Sequence, residues 1–91
     1  MDRQAVIRAI REAFDLTPEQ VEDHLETAEG GRVRGIVVVK GSPDFESLRP
    51  AIRTRRMWDR IRQSAPDEPT NLGLVVLLSE EEAAGADLGP R

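Results

Sequence analysis

The chain contains no cysteine, and its aromatic residues are limited to Phe14, Phe45 and Trp58. Without cysteine there is no disulfide, no thiolate zinc site, no cysteine nucleophile and no Cys-ligated iron–sulfur cluster within the chain. With so few aromatic rings, the core has to be assembled mainly from Val, Ile and Leu. No apolar run approaches the ~20 residues of a membrane span. Met1-Asp2-Arg3-Gln4 leads into an amphipathic pattern rather than the apolar stretch of a signal peptide. A cytoplasmic protein without a membrane partner is therefore expected. The sequence also lacks a phosphate loop, a nucleophile–histidine pairing, a serine elbow and metal-ligand spacing. No catalytic residue, metal site or cofactor is expected, and the chain reads as a binding protein rather than an enzyme.

What is present points to one small globular domain. Ninety-one residues suffice for a single core. A composition 38% hydrophobic and 33% charged is too apolar for a disordered chain. The net charge of −4 argues against wholesale attraction to nucleic acid or anionic lipid. That average conceals a basic segment. Between Ser47 and Arg62 six arginines face one acid, Asp59, a local charge of +5 that leaves −9 on the rest of the chain.

Val6, Ile7, Ile10, Ala13 and Phe14 recur at helical spacing and predict a helix over about Arg3–Phe14. The next stretch carries two signals. Thr17-Pro18-Glu19-Gln20 is a capping box with proline at the first helical position. Val21, Asp23, Leu25 and Thr27 alternate with Glu22, His24 and Glu26, as in an edge strand that ends at a Gly30-Gly31 turn. Local signals leave helix and strand both open here. Arg32–Lys40, with Ile36-Val37-Val38-Val39, predicts a buried strand. Ser42-Pro43 starts a short helix through Phe45 and Leu48, and Pro50 breaks it before a longer helix to Gln63. A loop over Ser64–Asn71, a strand over Leu72–Leu78 and a short acidic helix capped by Ser79 follow. The domain spans 1–84, and the tail from Gly85 to Arg91 is expected to be disordered.

In the longer basic helix, Thr54, Met57, Trp58, Ile61 and Ala65 fall on one face at 100° per residue. Arg53, Arg56 and Arg60 flank it on one side, Arg55 and Arg62 on the other. Arginine's planar donor fork suits phosphate oxygens, so one reading is a nucleic-acid-binding helix. The plainer reading is a solvated helix whose arginines pair locally, with Asp59 in reach of Arg55 and Arg56. An acidic protein surface is a third use. Trp58 reads as a core anchor. His24, beside Glu22 and Asp23, reads as a surface residue rather than a ligand. The run Glu80-Glu81-Glu82 reads as charge favouring a helix N-terminus.

Four stretches together resemble the BolA-like proteins, whose fold is similar to type II KH domains. They are Val6-x-x-x-Ile10-Arg11-x-Ala13-Phe14, then Val21-Glu22 through Glu26-Thr27. The third is Phe45 followed by Arg53-x-Arg55-x-Met57-Trp58, and the fourth Ser79-Glu80-Glu81-Glu82. The resemblance covers most of the chain and implies an α+β domain of order α-β-β-α-α-β-α, a three-stranded sheet packed against helices. It also tips Val21–Thr27 toward strand. The departures are specific. Thr54 replaces the family's histidine between the two arginines, and Asn71 or Leu72 stands where its cluster-binding histidine opens the last strand. Neither is a normal cluster ligand. Leu48-Arg49-Pro50 replaces the Gly-x-x-Gly loop by which KH domains clamp RNA. The expected function is a BolA-like binding module, a nucleic-acid-binding regulator of DNA or RNA through Arg49, Arg53, Arg55, Arg56 and Arg60. The alternatives are a protein-interaction module, the resemblance implying monothiol glutaredoxin-like partners, or a homodimeric structural subunit built on its two apolar strands.

Overall fold

Asp2 opens the first element, its carboxylate accepting a hydrogen bond from Ala5 N at 2.8 Å as an N-cap. The computed structural model describes residues 2–64 and 72–85. In chain order they form α1 (Arg3–Phe14), β1 (Val21–Thr27), β2 (Val33–Val39), α2 (Pro43–Glu46), α3 (Pro50–Ser64), β3 (Leu72–Ser79) and α4 (Glu80–Gly85). The α+β class and the order α-β-β-α-α-β-α are those expected from the sequence. Most of the expected loop (65–71) and of the expected disordered tail (86–91) lies outside the described residues. Ser64 and Gly85, assigned to these from sequence, instead close α3 and α4.

α1 ends at Asp15, whose left-handed backbone (φ 54°) turns the chain so that Leu16 is buried. Asp15 N–H bonds the Arg11 carbonyl, as does Leu16 N–H at 2.9 Å. Both signals in the next stretch are realised. The Thr17 capping motif starts a single 3₁₀ turn, Pro18–Gln20, and the alternating pattern then runs as β1. Gln20 decides the switch. Its Oε1 accepts from Thr17 N at 3.0 Å, while its Nε2 donates to the carbonyls of Lys40 and Gly41 at 3.1 and 3.0 Å. The side chain that closes the turn thereby ties the start of β1 to the end of β2. A longer helix would forfeit those long-range bonds.

The sheet order is β1-β2-β3, with β2 central. β1 pairs antiparallel to β2 (Val21 opposite Val39, Leu25 opposite Gly35, Thr27 opposite Val33). β3 runs parallel to β2, with Gly35 opposite Val75, Val37 opposite Leu77 and Val39 opposite Ser79. The inner face presents Leu25, Val33, Val37, Val39, Val75 and Leu77 to Val6, Ala9, Ile10, Phe45, Met57 and Ile61 of the helices. Trp58 is partly buried against the same cluster. Phe14 of α1 meets Phe45 of α2 edge-on, with centroids 5.1 Å apart.

Gly35 is paired on both sides, to β1 and to β3, and adjoins a shift in register between Val33 and Gly35 on the β3 side. Its φ is +136°, and a Cβ there would stand 2.4 Å from the His24 carbonyl oxygen. Strain and clash therefore coincide with a backbone group that cannot yield without opening the β1–β2 pair. Gly35→Ala should lower the unfolding free energy by about 2 kcal/mol or more. Urea titration followed by circular dichroism checks this.

Candidate interaction surfaces

α3 is the natural place to look for a binding face, and the structure divides its arginines. The buried line of the helix is Arg53, Met57 and Ile61; of the expected stripe, Met57 and Ile61 are buried, Thr54 and Trp58 half-buried, and Ala65 lies outside the described residues. Arg53 is 2% exposed. Its Nε donates to the Phe45 carbonyl at 3.1 Å and its Nη2 to the Glu46 carbonyl at 3.3 Å, satisfying acceptors at the end of α2. Its Nη1 meets Glu82 Oε1 at 2.5 Å, and its guanidinium carbon lies 4.2 Å from the centre of the Phe45 ring. The expectation that Arg53 faces a partner is thus corrected. Every donor-bearing nitrogen of this guanidinium is engaged inside the fold.

Glu82 reaches Arg53 because the first turn of α4 is a capping box. Ser79 Oγ accepts from Glu82 N at 3.3 Å, and Glu82 Oε1 accepts from Ser79 N at 2.8 Å. The Ser79 N–H, followed by the Arg53 guanidinium and the Ser79 hydroxyl, holds the Glu82 carboxyl below the usual carboxylate range against the opposing effect of partial burial. The Ser-x-x-Glu spacing was visible in the sequence; the buried cation it receives was not.

The remaining arginines do not share one surface. Arg60 points into the α1–α3 groove, where it pairs with Glu12 at 3.2 Å. Arg62 pairs with Asp59 at 2.8 Å, taking the acid expected to serve Arg55 or Arg56. Arg56 lines a groove of about 260 Å³ together with Glu12, Ala13, Asp59, Arg60 and Gln63, so acids flank it. Arg49, Arg55 and Arg56 are exposed and make no ion pair among the described residues. Three of the five expected ligands, Arg49, Arg55 and Arg56, therefore remain free for an external anion.

The outer face of the sheet, not singled out from sequence as a surface, is divided in two. On the β1 side it is charged: Arg34 Nε meets Glu26 at 2.8 Å, Lys40 Nζ meets Glu22 at 3.2 Å, and His24 Nε2 lies 3.0 Å from Glu22. The His24 contact, with Lys40 behind it, draws the exposed Glu22 carboxyl below its usual range. On the β3 side the alternation places Ile36, Val38, Leu74, Val76 and Leu78 together. Val38 is covered, Ile36, Val76 and Leu78 are half-buried, and Leu74 is 78% exposed. Among the described residues no strand pairs with the far side of β3. No group of three or more His, Cys, Asp or Glu able to hold a metal occurs among them, and no helix there is long and apolar enough to cross a membrane.

No family model matches the chain, and no curated protein or solved structure is significantly similar to it.

The Arg53–Glu82 pair makes two predictions. Glu82→Gln keeps a cap acceptor but leaves the buried guanidinium without its counter-charge, and should cost roughly 1–3 kcal/mol in a urea titration at neutral pH. Because the native Glu82 carboxyl is held below its unfolded value, its contribution is complete above the ordinary carboxylate range and is lost as pH falls through the native value. The stability gap between wild type and Glu82→Gln should therefore be widest at pH 7 and close on acidification. A gap independent of pH would show that charge is not its source.

Proposed function

We propose that this chain is a non-enzymatic protein-interaction module that docks through the apolar half of its outer sheet face and the free edge of β3. The observation that carries the reading is Leu74, a large apolar side chain 78% exposed at the rim of a patch that also includes Ile36, Val76 and Leu78. Scattered exposed apolar residues are ordinary on a protein surface; contiguous ones beside an unpaired strand edge mark a docking surface. The charged β1 half of the same face gives the patch a polar border, as protein interfaces have.

The element order agrees with what the BolA-like resemblance implies, and this supports a shared architecture. The resemblance sets Asn71 or Leu72 at the place of that family's cluster-binding histidine, and neither is a normal cluster ligand, so partner binding is proposed without a cluster between the chains. A second reading, a nucleic-acid-binding regulator, is favoured by one observation, the exposure of Arg49, Arg55 and Arg56 without an ion-pair partner among the described residues. Three phosphate contacts would give a log–log salt slope of about −3 on duplex DNA. Removing Arg53 from the set, and tying Arg60 to Glu12, leaves that reading the weaker of the two.

Site-specific photo-cross-linking in cells separates them. A photo-reactive amino acid in place of Leu74 should give protein adducts, while one in place of the exposed Glu29 should not. Adducts to nucleic acid from position 55, with none from position 74, would overturn the docking reading in favour of the second.

A further inference from the structure

The partner that the β3 side fits is a second copy of this chain, an inference that rests on the docking reading above. The two edges of the sheet differ in how they meet another strand. β1 carries Glu22, Asp23 and Glu26 within seven residues, charged side chains of the kind that guard a strand edge against pairing. β3, Leu-Gly-Leu-Val-Val-Leu-Leu-Ser, carries no charged side chain in eight residues. On a chain of net charge −4, this neutral strip is where two identical molecules approach against the least repulsion.

The residue pattern is also self-complementary. The irregularity opposite Arg34, where Gly73 and Leu74 together face one residue of β2, limits the regular part of β3 at its start. The outward-facing residues of β3 are Leu74, Val76 and Leu78, with Val76 at their middle. We propose that two copies pair their β3 strands antiparallel about a two-fold axis at Val76. That register sets Leu74 across from Leu78 and Val76 across from Val76, with all six side chains on the outer face. It is isologous and closes on itself, so it yields a dimer with a continuous six-stranded sheet rather than a fibre. The apolar halves of the two outer faces merge at its centre, and the charged β1 strands become its two outer edges. An unrelated strand could use the same edge, but the match of Leu74 to Leu78 across Val76 is a property of this sequence paired with itself.

Sedimentation equilibrium of the purified chain from about 10 µM to 1 mM tests the proposal, with amide exchange read in parallel. The wild type should sediment as a dimer at the upper end, with protection of the Leu74–Leu78 amides rising with concentration. Leu74→Lys, at a position too exposed to matter for folding, should raise the dissociation constant at least tenfold, and Val76→Lys, which sets like charges at the axis, by more. Arg55→Glu, on α3, should leave association unchanged. A wild type monomeric at 1 mM overturns the dimer. So does a dimer indifferent to both lysine variants, since its interface then lies elsewhere. Should the chain be monomeric while position 74 cross-links to a different protein in cells, the dimer falls and the docking reading stands. A monomer with no position-74 adduct removes both.

Discussion

The fold turns on one buried cation. Arg53 of α3 draws two other segments onto a single guanidinium: α2, through the carbonyls of Phe45 and Glu46 and the Phe45 ring, and α4, through the carboxylate of Glu82. A four-residue helix such as α2 has little stability of its own, and α4 is scarcely longer. Both are held by what they pack against. Placing a charge inside a domain of 91 residues is costly unless each donor is satisfied, and here each nitrogen of the guanidinium has a partner. The planar fork explains why arginine rather than lysine occupies the position, since one ammonium could not reach two carbonyls and a carboxylate on different elements.

This constraint redistributes what the basic segment can do. Its most buried arginine is committed to the interior, two more are held by Glu12 and Asp59, and the exposed remainder is Arg49, Arg55 and Arg56. The surface left with an unmet physical need is instead the apolar half of the sheet. Helices α1 and α3 cover the inner face, and the β1 half of the outer face carries its own ion pairs. β3 meets solvent with the exposed Leu74 and the half-buried Val76 and Leu78, beside an edge that is unpaired among the described residues. Exposure of this kind is a liability to a monomer and an asset to an interaction module.

Much of the architecture was legible because its signals are local. The α1 periodicity, the β-branched run of β2, the Ser42-Pro43 start of α2 and the break at Pro50 each act within a few residues. The stretch after α1 was ambiguous for a physical reason, since Thr17–Gln20 carries a real helix start and Val21–Thr27 a real strand. Both form, and the long-range bonds of Gln20 to Lys40 and Gly41 set where one stops. The site was less legible. Helical geometry placed Arg53 at the border of the apolar stripe, and one step of rotation moves it underneath. Nothing in its neighbours announced that Glu82, 29 residues away, would meet it there. The outer-face patch was hidden likewise, because β3 and β2 read simply as apolar strands until their register sorted alternate residues onto two faces.

The internal role of Arg53 is the point from which the rest follows, and its side-chain N–H signals report on it directly. In a nitrogen-15 NMR spectrum at neutral pH, the Arg53 Nε–H should appear as a distinct, slowly exchanging resonance that persists when duplex DNA is added at low salt. The Nε–H groups of Arg55 and Arg56 should exchange rapidly with water. An Arg53 signal that exchanges as fast as theirs, or that shifts on adding DNA while the sheet amides do not, would contradict the account and return the arginine helix to the role of ligand.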